Sequence, residues 1–184
     1  MSDHDILISL LATKSARRGN FVLSSGRAST LYIDARLTTM SAEGLALIGP
    51  LALSVLRQTQ WNVDEVGGLT LGADPISYAI AYASTHTDRP VQAFSVRKQV
   101  KQHGTQRRIE GPFDPAGTVA IIEDVITTGG SALQAIAAVR ETGAHIAGVL
   151  ALVDREEGGR EAIEGAGVPV VALARAAEIL ARMS

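Results

Sequence analysis

The sequence contains no cysteine, which removes disulfides, zinc–thiolate centres and thiol nucleophiles together. It has no stretch of 18 apolar residues, so a membrane-spanning helix is excluded. The apolar run 6–12 follows acids instead of a basic segment, so no signal peptide is expected, and a cytoplasmic location is. Neither sign of charge dominates. The 17 Lys and Arg against 19 Asp and Glu leave a net charge of −2, which argues against a general nucleic-acid binder. Repeats, low-complexity tracts and linkers are missing too. What is there is 184 residues with 46% apolar content, enough to bury one good core, so a single domain over 1–184 is the simplest reading.

The stretch 119–131 organises the rest. Four apolar residues, 119–122, suit a strand buried on both faces, and Glu123 and Asp124 follow where that strand should end. Beyond Val125 and Ile126 comes a loop of small residues, Thr127, Thr128, Gly129, Gly130 and Ser131. Ala132, Leu133, Ile136, Ala137 and Val139 then recur at helical spacing, and Gly143 is placed to end the helix. Such a loop lets backbone N–H groups converge, and the helix N-terminus adds about half a positive charge, so the pair suits a phosphate. Adjacent carboxylates suit sugar hydroxyls or a hydrated Mg²⁺ instead. Together they read as a site for a phosphorylated sugar. No lysine follows the glycines, which excludes a Walker loop, and the spacing is not Gly-x-Gly-x-x-Gly. An ordinary βα turn with two solvated acids would present the same loop.

Residues 119–131 resemble the phosphoribosyl-pyrophosphate (PRPP) motif of type I phosphoribosyltransferases. The resemblance implies that Glu123 and Asp124 hold the ribose 2′ and 3′ hydroxyls, with Asp124 a catalytic residue, and that the loop from Val125 to Ser131 cups the 5′-phosphate.

Taken in order, Ser2 and Asp5 read as a capping box for a first helix bearing Leu7, Leu10 and Leu11, ended by Arg17, Arg18 and Gly19. Residues 21–23 and 31–33 flank a polar turn, as in a hairpin. Its Phe-x-Leu-x-Ser-Gly-x-x-Ser, followed by Tyr-x-Asp, is similar to the N-terminal hood of orotate phosphoribosyltransferases, which lies over the base. Ser41 caps a second helix running to about Arg57, which Gly49 and Pro50 are expected to kink or split. After the apolar residues 66–69, Asp74 is expected to cap, and Pro75 to begin, a helix running to about Ser84. The stretch 68–76 resembles the pyrophosphate loop of the orotate enzymes and implicates Ala73 and Asp74 in PRPP binding.

A strand at 91–96 precedes an abrupt change of charge. Arg97, Lys98, Lys101, Arg107 and Arg108, with His103, fall within twelve residues, and no acid appears before Glu110. A solvated basic loop has this composition; so does a mobile loop that stabilises charge on a leaving pyrophosphate. Arg97-Lys98-x-x-Lys101-x-His103-Gly104 resembles the flexible catalytic loop of the orotate family, which implies PRPP contacts from Arg97, Lys98, Lys101 and His103, the last two catalytic. The apolar run 146–153 ends at Asp154 and Arg155. Arg155 is either a salt-bridge partner or a planar fork for a substrate carboxylate; the resemblance implies orotate binding by Arg155 and Thr127. A short helix from 159 to about 164, a strand near 168–173 and a last helix from Arg175 complete the chain.

Apolar strands alternating with helices from residue 65 onward predict an α/β fold with a parallel central sheet and flanking helices. The resemblance makes this the type I phosphoribosyltransferase fold, with residues 1–40 a small hood on a core of 41–184. It implies an enzyme that joins orotate to PRPP, with Mg²⁺ held through the substrate's pyrophosphate and ribose hydroxyls and no dedicated protein ligand set. A homodimer that shares its catalytic loop in trans is implied as well. Some family members carry lysine where Ser24 stands, and some carry one in the pyrophosphate loop at Asp74 or a neighbour, so more of the diphosphate charge falls here to Arg97, Lys98 and Lys101. Two other readings are a PRPP-sensing regulator that binds nucleic acid, which the acidic net charge disfavours, and a purine enzyme, for which a carboxylate-reading Arg155 has no use.

Overall fold

A computed structural model describes residues 1–22, 28–99 and 108–183; Ser24, Lys101 and His103 lie outside the described residues. Helix α1 (Asp3–Leu10) opens on the predicted capping box, Ser2 Oγ accepting from the Asp5 amide at 3.1 Å and Asp5 Oδ2 from the Ser2 amide at 3.2 Å. It widens into a π turn at Leu11–Ser15 and stops there. Arg17, Arg18 and Gly19, expected to end this helix, lie instead in strand β1 (Ala16–Val22). Ser15 leaves the helix because its hydroxyl pairs with that of Thr38 (2.7 Å) and its carbonyl accepts from the Asp34 amide (3.0 Å). β1 pairs antiparallel with β2 (Ala28–Ile33).

A short helix, α2 (Arg36–Thr39), leads to α3 (Ala42–Gln58), where Ser41 Oγ caps the Gly44 amide at 3.1 Å as the sequence predicts. The expected kink at Gly49 and Pro50 is not a break: α3 is one helix through both. Proline costs the helix one backbone donor, and the buried stripe of Ile48, Ala52, Leu53 and Leu56 keeps the two halves in line.

Six strands form the main sheet: β3 (Glu65–Leu69), β4 (Gln92–Val96), β5 (Ile109–Glu110), β6 (Thr118–Ile126), β7 (His145–Asp154) and β8 (Val170–Arg175). Their order is β5-β4-β3-β6-β7-β8, and every pair is parallel except β4 with β5. Helices α4 (Ala73–Ser84), α5 (Gly130–Arg140), α6 (Gly159–Gly165) and α7 (Ala176–Arg182) make up the remainder. β8 begins two residues later than predicted and α7 one. Among the described residues no helix is long and apolar enough to cross a membrane.

Successive side chains of the central strands point to opposite faces and build two cores. Ala120, Ile122, Leu150 and Leu152 join Leu7, Leu11, Ile48, Ile76 and Ile179 on one side. Val119, Ile121, Val149 and Ala151 join Phe94, Ile136, Val139 and Ile163 on the other. This double burial is why the strands read as unbroken apolar runs. α1 belongs to the first of these cores, so the N-terminal segment is packed into the sheet.

Two glycines let neighbours close in. The ring of Trp61, the chain's one tryptophan, covers Gly148, where a Cβ would come within 2.2 Å of Cη2. A Cβ on Gly68 would meet the Ile122 carbonyl oxygen at 2.0 Å and Ala73 Cβ at 2.7 Å, so α4 starts directly on the sheet. Gly68→Ala should therefore overpack this junction and lower the unfolding free energy by about 1–3 kcal/mol, seen as a lower urea midpoint. An unchanged midpoint would show that the close approach is dispensable.

Candidate active site

The site forms at the carboxyl edge of the sheet. Glu123 and Asp124 were expected just past the end of their strand, but β6 runs on to Ile126, and β7 runs beside it as far as Asp154. The longer ladder carries the acids out of the core while still fixing their backbone. Glu123 is 7% exposed and Asp124 is half-buried. Burial pushes the Glu123 carboxyl well above its ordinary value; the neighbouring Asp124 adds to the shift and Lys98 opposes it. Asp124 Oδ1 accepts from the Val125 amide at 2.8 Å. A Cβ on Gly72 would stand 2.5 Å from Asp124 Oδ2. Only glycine therefore lets the turn after β3 lie against this carboxylate.

Between them opens a cleft of about 280 Å³. Its walls are residues 32–36 of the hood, 69–72 of the turn after β3, Lys98, 123–125 of β6, and Ser131. Beside it α5 begins after Gly129, which takes a φ of +80°, and among the described residues no side chain caps the start of that helix. Thr128, Gly130 and Ser131 are exposed and Thr127 is half-buried. The unspent N–H groups and the helix dipole together suit a phosphate. Ile126 is packed into the core, so only its backbone can reach a ligand.

The cleft thus brings together Lys98, Glu123, Asp124, Val125 and Ser131 of the predicted set. Other members stand outside its walls. Ala73 is buried, and Asp74, expected to cap α4, lies in its first turn while Gly72 takes the cap position. The helix starts two residues early, with Ala73 pressed against Gly68. Arg97 pairs with Glu110 at 2.8 Å, and its amide bonds the Arg108 carbonyl at 2.8 Å, so the basic segment leaves and returns at one place. Arg155 is 6% exposed: its Nη2 donates to Ser29 Oγ and to the Leu31 carbonyl, both at 2.8 Å, and pairs with Glu157 at 2.7 Å. Arg155 Nε is buried with no hydrogen-bond partner among the described residues. This guanidinium ties β2 to the end of β7.

Sequence reasoning missed Arg36 as a wall of the cleft; it had Tyr32 and Asp34 in the hood motif and 70–72 in the pyrophosphate loop, but singled out Ala73 and Asp74 from that loop instead. Arg36 is held by Asp34 through two bonds, Nε to Oδ1 at 2.8 Å and Nη2 to Oδ2 at 3.1 Å. The Asp-x-Arg spacing was the available signal. For the turn after β3, nothing local shows that residues 70–72 and not 73–74 face the acids; the Thr70–Leu71 peptide there is cis.

No family model matches the chain. Over 174 residues it is 48% identical to the orotate phosphoribosyltransferase of Aquifex aeolicus, a match that covers 95% of this chain and 94% of that one. Among solved structures, the orotate phosphoribosyltransferase of Mycobacterium tuberculosis H37Rv in complex with Fe(III) dicitrate is 40% identical, with a TM-score of 0.84 over 97% of this chain and 99% of that one. The same enzyme in complex with PRPP gives 38% identity and a TM-score of 0.79 over 97% and 99%. With this identity maintained along nearly the whole length, and with the acidic pair and phosphate-type loop meeting in one cleft, the chain has the type I phosphoribosyltransferase fold and belongs to the orotate phosphoribosyltransferase family.

Proposed function

We propose that the protein transfers ribose 5-phosphate from PRPP to N1 of orotate, giving orotidine 5′-monophosphate and pyrophosphate in pyrimidine synthesis. The observation that carries this reading is the meeting of the acidic pair with the uncapped N-terminus of α5 at one cleft, in a chain of this family. The loop 125–131 takes the 5′-phosphate on the first amides of α5. Asp124, with Glu123 behind it, accepts hydrogen bonds from the ribose 2′ and 3′ hydroxyls. These contacts orient the ring for displacement at C1 through an oxocarbenium-like transition state, with no covalent nucleophile.

The diphosphate lies towards Lys98 and the turn 70–72. Lys101 and His103 donate a proton to it as it leaves, and Arg97 steadies the base of their segment. The hard oxygens of Asp124, with Glu123 beside it, would suit Mg²⁺, which would supply positive charge against the diphosphate. Orotate falls to Thr127 and Arg155. A cytoplasmic location belongs to the same proposal, since both substrates are anions that do not cross a bilayer unaided.

The proposal extends to a homodimer in which Lys101 serves the partner's site. The groove between α3 and α4, about 900 Å³, exposes Leu45, Tyr78 and Tyr82, and an apolar face of this kind supports association.

An assay with orotate, PRPP and Mg²⁺ should show PRPP-dependent loss of orotate, and Asp124→Asn should reduce kcat by about tenfold or more with the thermal midpoint unchanged. Wild-type turnover in that variant sinks the ribose assignment.

Glu123 gives a pH test. The folded state keeps its proton above the ordinary value of 4.5 at which the unfolded chain releases it, so between those two values the native state binds more protons. Stability should therefore fall as pH rises through that window. In Glu123→Gln the decline should be absent, and the gap in unfolding free energy between variant and wild type should widen upward from pH 4.5. Parallel curves would show that Glu123 ionises normally.

For the shared site, inactive Lys101→Ala and inactive Asp124→Asn subunits are mixed and allowed to exchange. Each heterodimer then has one intact site, and random pairing should restore about a quarter of wild-type activity per subunit. Activity at the background of the single variants, with heterodimers shown to have formed, rules out action in trans.

A further inference from the structure

Asp74 is a buried carboxylate whose charge the cleft does not use. It is 8% exposed, and its Oδ1 accepts a hydrogen bond from Ser95 Oγ at 2.8 Å. Ser95 Oγ also lies 2.9 Å from the Tyr78 hydroxyl. Proton counting fixes the direction: a serine has one hydroxyl proton, the carboxylate can only accept it, and so Tyr78 must donate to Ser95. The chain runs from Tyr78 through Ser95 to Asp74, with an anion at its end. That anion sits in the first turn of α4, where the helix dipole favours negative charge.

The positions of the two anchored residues give this chain its meaning. Asp74 follows Gly72, the residue that lies against Asp124, by two positions. Ser95 precedes Lys98 by three, and both Gly72 and Lys98 face the cleft. Between the anchors, Gly68 is paired with Ser95 in the β3–β4 ladder, and the Thr70 amide bonds the Val96 carbonyl at 2.9 Å. The Asp74–Ser95 bond therefore closes a ring. It joins the turn on one wall of the cleft to the strand that launches the basic segment on the other.

We infer that Asp74 is a positioning residue. By holding the turn 70–72 and the end of β4 in one geometry through Ser95, it presents backbone donors and Lys98 together to the diphosphate of PRPP. The inference rests on the reading of that wall as the diphosphate side. Asp74 stands outside the walls of the cleft, so it acts through geometry and contributes no cation.

The test is binding of PRPP and of pyrophosphate, each with Mg²⁺, to the intact protein by titration calorimetry, alongside thermal midpoints. Asp74→Ala should weaken both ligands about tenfold. Ser95→Ala should do the same, and the double variant should be no worse than either single one, because all three remove the same link. Asp74→Asn keeps an acceptor for Ser95 and should recover most of the lost affinity. A silent Ser95→Ala beside a damaging Asp74→Ala would mean that Asp74 touches the ligand itself and would overturn the inference; so would additive losses, or losses that only follow the thermal midpoint. Orotate turnover is read separately. PRPP binding without orotate turnover would fail the proposed reaction while leaving this test valid, and a wild-type protein that binds neither phosphate ligand would overturn both.

Discussion

A strand covered on both faces has no place for a polar side chain along its middle, and β6 obeys that constraint until Glu123. From there the chain must either leave the sheet or carry its polar groups into a pocket, and it does the second. Continued pairing with β7 holds the backbone of the acids as firmly as that of the core. The result is a carboxyl pair whose position is set by hydrophobic burial elsewhere, which is the kind of support that a precise contact to a sugar needs. The raised proton affinity of Glu123 follows from the same cause, since the burial that fixes it also removes its water.

The hood depends on a second buried charge. Arg155 cannot sit where it does without acceptors, and the hood supplies two of them in Ser29 and the Leu31 carbonyl. Lifting β2 away would leave a guanidinium short of partners in a dry place, which is costly. The residue that the family resemblance assigns to orotate is thus also a tether between β2 and the end of β7.

Much of this was legible in the sequence, and the limits have physical causes. The double-sided strands, the Ser2 and Ser41 caps and the Gly-rich loop before α5 declare themselves because each depends on residues within a few positions. The end of β6 did not, because strand length there is decided by β7, some thirty residues away. Nor did the start of α4: Asp74 is a good capping residue in isolation, but the helix begins two residues earlier, with Ala73 against Gly68, and the carboxylate turns to Ser95. The role of Arg155 as a tether needed the hood strand beside it, a pairing across more than a hundred residues.

The packing of Trp61 across Gly148 has a spectroscopic meaning. The indole lies against the early part of β7, whereas ligands meet the strands at their far ends, beside Asp124 and Asp154. As the chain's one tryptophan it dominates the intrinsic fluorescence. That emission therefore reports on assembly of the sheet from the end of β7 opposite Asp154.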